Sequence, residues 1–326
     1  MGTLIDPLEH PAVRAWGTLL PARLEPTSIA ALRDRDKTAV YRLDGVGLEG
    51  APVVAKRCHA ATGGIERTVY EEILPHLPVT ALHYYGHVAE DDGSCWLFLE
   101  DAGGVPFSPL AEGHRVLVAR WLALLHTSAA RVRPATPLPD RGPAHYLDHL
   151  RSARRTILDS LGDSAASPGD REVLEGIVAQ CDVVEARWHE VEEWCAALPA
   201  TLVHGDFRPK NVHVRADHAG AGARLLAMDW ETAGWGAPAA DLASIRGLLG
   251  ELDGLTAYQS VARESWPGLD VRSILRSVEA GKFFRRLAAI SWSSLSLSSR
   301  WEKGVAHMRV HQAELAAAIE AASWTR

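Results

Sequence analysis

The chain has 326 residues, of which 47% are hydrophobic and 23% are charged, and its formal net charge is −7. This length suits a sizeable core in one bilobal unit or two domains, and the sequence lacks the strong basic patch of a nucleic-acid-binding protein. Four scattered cysteines favour free buried thiols in a reducing compartment. No signal pattern or membrane-spanning stretch is evident, so we expect a cytoplasmic protein that does not contact a membrane.

The first hundred residues read as short strands with one helix. Pro52–Arg57 is an apolar strand with Lys56 near its end, and Glu66–Leu74 predicts an amphipathic helix. Cys95–Asp101 is a further apolar strand that runs into Ala102-Gly103-Gly104. Taken alone, Lys56 would be a surface lysine, and only a motif further along the chain gives it another meaning.

From Glu112 onward the pattern is mainly helical. Two irregular connectors, Arg131–Pro143 and Leu161–Asp170, separate the first helical segments. The predicted helices are Glu112–Ala130, Ala144–Leu161, Asp170–Leu198, Pro238–Leu252 and further helices to Arg326.

The most informative stretch is His204-Gly205-Asp206-Phe207-Arg208-Pro209-Lys210-Asn211, which is followed 18 positions after Asn211 by Asp229-Trp230-Glu231. Strand patterns on both sides of a glycine-rich turn predict a hairpin between Asn211 and Asp229. Such a hairpin brings Asp206, Asn211 and Asp229 to one end, where their oxygens can converge on a hard cation.

This spacing is the acid arrangement that phosphoryl transfer uses. The first Asp orients a substrate hydroxyl, while the Asn and the second Asp hold Mg²⁺ against nucleotide phosphates. The alternative is an Asp and an Asn that only satisfy turn amides. The presence of all three residues at these offsets favours the kinase interpretation over that alternative.

With these motifs the sequence resembles the aminoglycoside phosphotransferase and choline kinase family, from about residue 25 to about 245. The resemblance implies an α+β, bilobal protein-kinase-like fold, with a small N-terminal β-sheet lobe carrying one main helix and a larger, mainly helical C-terminal lobe. It implies that Asp206 is the catalytic base and that Asn211, Asp229 and Glu231 are metal ligands. Mg²⁺ and ATP, or GTP, are the implied cofactors.

Other residues take roles from the same resemblance. Asp241, in a segment that looks like the family's GxPxxDLA, would brace the catalytic loop, and His204 would shape it. Arg208 in that loop is a candidate catalytic residue that neutralises the migrating phosphoryl group, as is Lys210, but Arg208 is equally plausible as a loop brace.

The resemblance also assigns the nucleotide site. Lys56 would contact the α- and β-phosphates and Glu66 would hold Lys56 by an ion pair, although Glu71 and Glu72 stay open as alternatives. Phe98, Leu99, Glu100 and Asp101 would contact the nucleotide base. The stretch over the phosphates, residues 33–38, lacks the glycines or Ser-Asn that the family often carries, which leaves the choice between ATP and GTP open. We predict a nucleotide-binding lobe over residues 1–101 and a catalytic and substrate-binding helical lobe over residues 102–326.

The net charge of the C-terminal part indicates which chemical class of acceptor molecule to expect. Residues 245–326 hold 11 basic and 8 acidic side chains, a net charge of +3. A site for polycationic aminoglycosides would instead be lined with carboxylates. Aromatic side chains in this region either pack in the core or stack on a planar or glycosidic acceptor; they are Trp266, Phe283, Phe284, Trp292, Trp301 and Trp324. Lys282, Arg285 and Arg286 are candidates for an anionic substrate group, or are simply solvated.

The sequence therefore predicts a Mg²⁺-dependent kinase that phosphorylates a hydroxyl of a small molecule. The favoured acceptor is an antibiotic, of a nucleoside or glycosylated kind rather than a polycationic aminoglycoside. One alternative is a metabolic kinase of a sugar, amino alcohol or choline-like acceptor, which shares every motif. Another is a non-catalytic nucleotide-binding module. The oligomeric state is not indicated.

Overall fold

The computed structural model describes residues 10–19, 25–35, 38–162, 167–216, 222–243, 252–298 and 301–324. The strands in chain order are β1 (Ser28–Arg35), β2 (Thr38–Asp44), β3 (Val53–His59), β4 (Tyr84–Ala89), β5 (Ser94–Glu100), β6 (Val105–Pro106), β7 (Asp140–Arg141), β8 (Thr201–Val203), β9 (Val212–Ala216), β10 (Ala223–Ala227) and β11 (Gly234–Gly236). The helices are α1 (Pro11–Leu19), α2 (Ala60–Thr68), α3 (Glu112–Ala129), α4 (Pro143–Leu161), α5 (Pro168–Ala186), α6 (Trp188–Ala196), α7 (Ala239–Leu242), α8 (Leu252–Ser265), α9 (Val271–Ser294) and α10 (Trp301–Ala321).

Packing divides the chain into two compact units. Unit 1 comprises residues 1–138 and 206–233, and unit 2 comprises residues 139–205 and 234–326. The loop that begins at Asp206 and the hairpin after it thus pack with the N-terminal residues. These units are defined by internal packing. The predicted boundary between residues 101 and 102 separates a nucleotide-binding lobe from a catalytic lobe, and it stays a prediction.

Unit 1 is built on an antiparallel sheet with the strand order β1-β2-β3-β5-β4. Side chains alternate between its two faces, as strand geometry requires. On one face, Val53 and Ala55 of β3 pack with Trp96 and Phe98 of β5 and with Trp16 of α1. Lys56 and Cys58 lie on the other face, opposite Leu97 and Cys95.

The helix after β3 begins earlier than predicted. His59 caps α2 by accepting a hydrogen bond from the amide of Ala61, and the α-helix runs from Ala60 to Thr68. One π-helical turn, Val69–Ile73, continues it. The prediction started at Glu66 because apolar residues at helical spacing mark only the second half, while Gly63 and Gly64 disfavour a helix locally. Tertiary packing of the glycine-containing turn overrides that preference.

The predicted hairpin is present. β9 and β10 pair antiparallel, with Val214 opposite Leu225, and β6 pairs with β9 on the other side. Beneath them, Trp121 of α3 stacks on Phe207 at 5.6 Å between ring centroids and lies 6.3 Å from Trp230. These buried rings anchor both ends of the hairpin.

Unit 2 combines a small sheet, with the order β7-β11-β8, with helices α4 to α10. Its core contains three of the aromatic residues singled out above: Phe283, Phe284 and Trp324 are almost fully buried. Phe284 stacks on Tyr146 at 3.9 Å, and Phe283 stacks on Trp324 at 4.7 Å. For these three rings the core-packing alternative is therefore the correct one.

Two helix predictions need correction or restriction. The single helix predicted over Asp170–Leu198 is two helices, α5 and α6, because Arg187 departs from helical geometry at φ −104° and ψ 12°. Of the helix predicted over Pro238–Leu252, the structure describes α7 only, and residues 244–251 lie outside the described residues. Within the described part of the chain, no helix has the length and apolar character needed to cross a membrane.

Candidate active site

Lys56 is the centre of a charge cluster in unit 1. Its side chain projects from β3 and is only 9% exposed. The ammonium group donates to Glu66 Oε1 and to Asp229 Oδ1, the latter at 2.5 Å, and lies 3.7 Å from Glu231 Oε2. The structure thus joins a strand, a helix and the end of the hairpin through one lysine.

Glu66, rather than its two alternatives, is the helix residue that contacts Lys56. Glu71 pairs with Arg67 at 2.8 Å, and Glu72 accepts hydrogen bonds from the amides of Ala135 and Thr136. Glu66 itself is fully buried, and its second oxygen, Oε2, has no hydrogen-bond partner among the described residues. A carboxylate in such surroundings needs the ammonium of Lys56 to remain charged.

The electrostatics of this pair are set by burial and by the neighbouring carboxylates. Burial lowers the pKa of Lys56, but Glu66, Asp229 and Glu231 outweigh it and raise the pKa above its ordinary value, so the ammonium stays charged. Burial raises the pKa of Glu66 to about 7, although Lys56 opposes this shift. Lys56 is therefore a fixed positive charge, as binding of phosphate oxygens requires.

Replacing Glu66 by glutamine is expected to reduce activity far more than stability. Glutamine is isosteric, and the carboxylates of Asp229 and Glu231 remain close to the Lys56 ammonium, so its buried charge is still compensated. Lys56 would, however, lose the partner that orients it, and a misplacement of about 1 Å can cost about 100-fold in rate. Steady-state kinetics for the nucleotide and thermal melting of the same samples measure the two effects.

Glu71→Gln is the matched control, since Glu71 lies on the same helical stretch and pairs with exposed Arg67. An activity for Glu66→Gln equal to that of Glu71→Gln would show that Glu66 does not position Lys56.

Asp229 and Glu231 carry the oxygens that can hold a cation. Asp229 directly follows the hairpin in the left-handed conformation, with φ 68° and ψ 57°, and a short 3₁₀ turn, Trp230–Thr232, begins after it. One oxygen from each of Glu66, Asp229 and Glu231 lies within 4.8 Å of the others. Carboxylate oxygens are the donors that Mg²⁺ prefers.

The residues from Asp206 to Asn211 form a second, adjoining network in unit 1. Arg208 binds both oxygens of Asp206, with Nη2 donating to Oδ2 at 2.8 Å, and Lys210 Nζ lies 3.2 Å from the same oxygen. The side-chain nitrogen of Asn211, Nδ2, donates to the backbone carbonyl of Asp206 at 2.9 Å and to the carboxylate of Asp206 at 3.1 Å. Asp206 and Asn211, predicted to act together, are therefore in direct contact.

Asn211 is also tied to the other end of the hairpin. Its backbone carbonyl accepts a hydrogen bond from the amide of Met228 at 2.9 Å, one residue before Asp229. Because its side-chain nitrogen faces Asp206, its amide oxygen is the atom left to face a cation. The hairpin therefore links the Asp206–Asn211 pair to the backbone that carries Asp229.

In unit 2, Asp241 holds the backbone that leads to Asp206. Its two carboxylate oxygens accept hydrogen bonds from the backbone amides of His204 and Gly205, each at 2.9 Å. Asp241 and His204 are fully buried. Asp241 thus makes the bracing contacts expected of it, and its lack of contact with a substrate stays a prediction.

The residues predicted to contact the nucleotide base are the last three of strand β5, Phe98 to Glu100, and Asp101 directly after it. Phe98 turns its side chain to the face opposite Lys56, where it packs 5.2 Å from Trp16, so it can offer a base its backbone groups only. Leu99 lies on the face of Lys56 and is buried. Asp101 is held by Arg42 at 3.1 Å.

Arg215 also contacts this segment, and the sequence analysis did not predict that role. From β9 it binds the carboxylate of Glu100 at 2.7 Å and donates to the backbone carbonyls of Asp101 and Ala102, each at 3.4 Å. A basic residue in an alternating strand carries no local signal for such a role. Only the packing of β9 against the end of β5 shows it.

Replacing Arg215 by glutamine is expected to raise the KM for the nucleotide about two- to fivefold and to leave kcat nearly unchanged, since a partly exposed ion pair contributes about 1 kcal/mol. Arg224→Gln is the control, because Arg224 is the register partner of Arg215 on β10. Nucleotide-dependent initial rates measure both variants, and equal KM values would contradict a role for Arg215 in shaping this segment.

The sheet of unit 1 and the helices of unit 2 together define the protein-kinase-like α+β fold that the sequence predicts. The chain belongs to the phosphotransferase enzyme family, whose profile matches residues 31–273. It is thus a small-molecule phosphotransferase, as predicted. No curated protein sequence matches the chain significantly.

Solved structures of kinases share the fold at low sequence identity. An aminoglycoside 2'-phosphotransferase in complex with GDP is 14% identical, with 95% of this chain and 97% of that chain covered and a TM-score of 0.66. Choline kinase from Cryptosporidium parvum Iowa II is 12% identical, with 91% and 90% covered and a TM-score of 0.60. Spectinomycin phosphotransferase, in complex with ADP and spectinomycin, is 11% identical, with 92% and 96% covered and a TM-score of 0.54.

Proposed function

We propose that the protein is a Mg²⁺-dependent kinase that transfers the γ-phosphoryl group of a nucleoside triphosphate to a hydroxyl of a small molecule. The observation that carries this proposal is the Lys56 ammonium, held by Glu66 from α2 and by Asp229 from the end of the hairpin. A buried lysine oriented in this way is suited to contact the nucleotide phosphates.

Asp206 is proposed to receive the acceptor. Its carboxylate orients the hydroxyl and accepts its proton as the oxygen attacks the γ-phosphorus in line. Asn211 fixes this carboxylate by the 3.1 Å hydrogen bond from its side chain. Arg208 and Lys210 contact the same carboxylate, and they are placed to neutralise charge on the transferred phosphoryl group.

The oxygen donors fit magnesium. Asp229, Glu231 and Asn211 are the residues proposed to hold it, and their carboxylate and amide oxygens suit a hard cation. When bound, Mg²⁺ would neutralise negative charge on the phosphate oxygens. Glu66 lies within the same oxygen cluster, but its contact with Lys56 assigns it to positioning that residue.

The nucleotide is proposed to be ATP or GTP. The aminoglycoside 2'-phosphotransferase structure contains GDP and the spectinomycin phosphotransferase structure contains ADP. Here the segment from Phe98 to Asp101 is proposed to meet the base, with Phe98 contributing its backbone groups only. The sequence departs from the family pattern over residues 33–38, of which Asp36 and Lys37 lie outside the described residues. Nucleotide-consumption rates with ATP and with GTP decide between the two.

The acceptor is proposed to be an antibiotic that is not a polycation. Unit 2 carries a row of one arginine and three aromatic side chains without a carboxylate among them. Arg141 Nη1 lies 3.2 Å from His145 Nε2, the ring of His145 lies 4.6 Å from that of His149, and His149 lies 6.1 Å from the half-exposed ring of Trp292. Burial lowers the pKa of both histidines, so they are neutral at neutral pH. Such a row favours planar or uncharged groups over polycations.

Lys282 and Arg286, named from the sequence as candidates to bind an anionic group of the acceptor, support that role less than the row just described supports a planar acceptor. Lys282 pairs with Glu279 at 2.7 Å and Arg286 pairs with Glu314 at 2.6 Å, so their charges are matched within the unit. Trp266 and Trp301 are partly buried, and Trp301 packs against the core. Among the predicted aromatic candidates, Trp292 is the most exposed.

A screen of nucleotide consumption tests the function. ATP and GTP are each offered with Mg²⁺ and panels of glycosylated antibiotics, nucleoside antibiotics, aminoglycosides, sugars and amino alcohols, and mass spectrometry seeks products that gain one phosphate. Asp206→Asn serves as the inactive control. Preference for kanamycin-like polycations would reject the acceptor proposal, and preference for a sugar or amino alcohol would identify a metabolic kinase. Absence of turnover together with intact nucleotide binding would indicate a non-catalytic module.

A further inference from the structure

Two of the buried cysteines form a pair directly beside the Lys56–Glu66 contact. Cys58 of β3 and Cys95 of β5 are register partners in the antiparallel sheet, and their sulfur atoms lie 4.0 Å apart. Both are free thiols. Their exposed fractions are 3% and 5%.

The backbone of this pair already suits a disulfide. Directly opposed residues of antiparallel strands have Cα atoms about 4.5 or 5.5 Å apart. Disulfides accept Cα separations of about 4.4–6.8 Å and need sulfur atoms about 2.05 Å apart. Side-chain rotation that closes about 2 Å between the sulfurs would therefore be enough, and the strands need not separate.

The sulfur atoms also support the helix that carries Glu66. A Cβ atom added at Gly63 of α2 would lie 2.2 Å from Cys95 Sγ and 3.1 Å from Cys58 Sγ. The backbone of Gly63 thus rests on both sulfurs, and Glu66 follows three residues later on the same face of the helix. Movement of the sulfurs beneath Gly63 is expected to displace Glu66 relative to Lys56, which lies two residues before Cys58.

We propose that Cys58 and Cys95 are a modification site, at which a peroxide oxidant forms a reversible disulfide that lowers nucleotide binding and phosphoryl transfer. The disulfide itself is independent of the function proposed above. Its effect on nucleotide binding and rate rests on that function.

The oxidation balances with hydrogen peroxide as the oxidant. The sulfur of Cys95 attacks one peroxide oxygen, which breaks the O–O bond, gives a sulfenic acid and releases water. The sulfur of Cys58 then attacks the sulfenic sulfur, and the hydroxyl group leaves with the thiol proton as a second water. Two thiols lose two electrons and two protons in all, and one peroxide is reduced to two waters. A dithiol reductant reverses the bond by exchange.

The other two cysteines provide a contrast. Cys181 of α5 and Cys195 of α6 are buried in the core of unit 2, and burial raises the pKa of each thiol to about 12. Within the pair, hydrogen bonding from Cys58 lowers the pKa of the Cys95 thiol. Since thiolates are the reactive form, Cys95 is the expected site of the first step.

The test compares the reduced and the peroxide-treated full-length chain. Remaining thiols are alkylated, the protein is digested without reductant, and mass spectrometry identifies cross-linked peptides. We expect a Cys58–Cys95 peptide that lacks two hydrogen atoms. Binding of fluorescent ATP and GTP analogues with Mg²⁺ is measured on the same samples. It is expected to weaken by about ten- to 100-fold, the scale of losing one hydrogen bond to a charged group, and to recover after dithiothreitol.

Two variants make the result specific. Cys95→Ser keeps a side-chain atom beneath Gly63 but cannot form a disulfide, so this variant is expected to bind nucleotide normally and to resist peroxide. Cys181→Ser, the matched control, should respond like the unaltered chain. Cys58→Ser replaces Cys95→Ser if the latter does not fold. A peroxide dose that oxidises the urea-unfolded chain confirms that the oxidant is active.

Recovery of Cys58 and Cys95 as separate alkylated peptides at that dose would overturn the proposal, as would a cross-link involving Cys181 or Cys195. A Cys58–Cys95 disulfide without any change in nucleotide binding would overturn the regulatory effect. Reduced protein that binds neither nucleotide would instead reject the proposed function, and the mass measurement would still decide whether the disulfide forms.

Discussion

Replacing Asp206 by asparagine is expected to lower kcat by about 10²- to 10⁴-fold, the range that a positioned general base contributes. The affinity for nucleotide should change little, because Lys56, Glu66 and Asp229 keep their contacts. Asparagine retains the shape of the side chain and a partner for Arg208 and Asn211. The loss would therefore report on the missing carboxylate rather than on a collapsed loop.

Initial rates with a phosphorylated acceptor, together with equilibrium binding of a fluorescent nucleotide, measure the two quantities. Asp159→Asn is the control, since Asp159 is an exposed residue of α4 outside the site. Near-normal turnover of Asp206→Asn would remove Asp206 from the catalytic role. A loss of nucleotide binding equal to the loss of turnover would indicate a structural role for the carboxylate.

Replacing Asp229 by asparagine is expected to weaken Mg²⁺-dependent nucleotide binding by at least about 100-fold, because a metal ligand and a partner of Lys56 are lost together. Asp229→Asn is thus expected to lower the affinity for nucleotide, whereas Asp206→Asn is expected to lower kcat. The requirement for Mg²⁺ should shift to higher concentrations, and turnover should fall at every nucleotide concentration that can be reached.

Magnesium titrations of nucleotide binding test this expectation. Asp91→Asn, an exposed change in the turn between β4 and β5, is the control. If binding by Asp229→Asn keeps the magnesium dependence of the unaltered chain, the metal is held elsewhere. Glu231→Gln then becomes the informative variant, since Glu231 shares the oxygen cluster with Asp229.

The order of elements around the site was predictable because it follows from local patterns. The strand with Lys56 is an apolar run, the hairpin between Asn211 and Asp229 shows alternation and a glycine-rich turn, and the structure contains both. The break at Arg187 between α5 and α6 was missed, because the apolar spacing continues on both sides of it. Periodicity predicts that a helix exists more reliably than where it ends.

Which aromatic rings are available to an acceptor molecule was harder to predict from the sequence. Phe283, Phe284 and Trp324 are core residues, while Trp292, of the same chemical type and on the same helix as two of them, is half exposed. Composition gives the number of rings in a region. It does not give the direction in which each ring points, which depends on what packs against the helix.

By itself, the sequence determined the class of fold, the family and the set of oxygen-bearing and basic residues that phosphoryl transfer requires, since these depend on residue types at fixed local spacing. Tertiary structure alone decided that Glu66, and not Glu71 or Glu72, meets Lys56, that Arg215 holds the end of β5, and that Cys58 lies opposite Cys95. Each of these contacts joins residues whose encounter depends on helix phase, strand register and side-chain packing. Short-range sequence patterns do not encode those three quantities, because they are fixed only when distant segments bury their surfaces against one another.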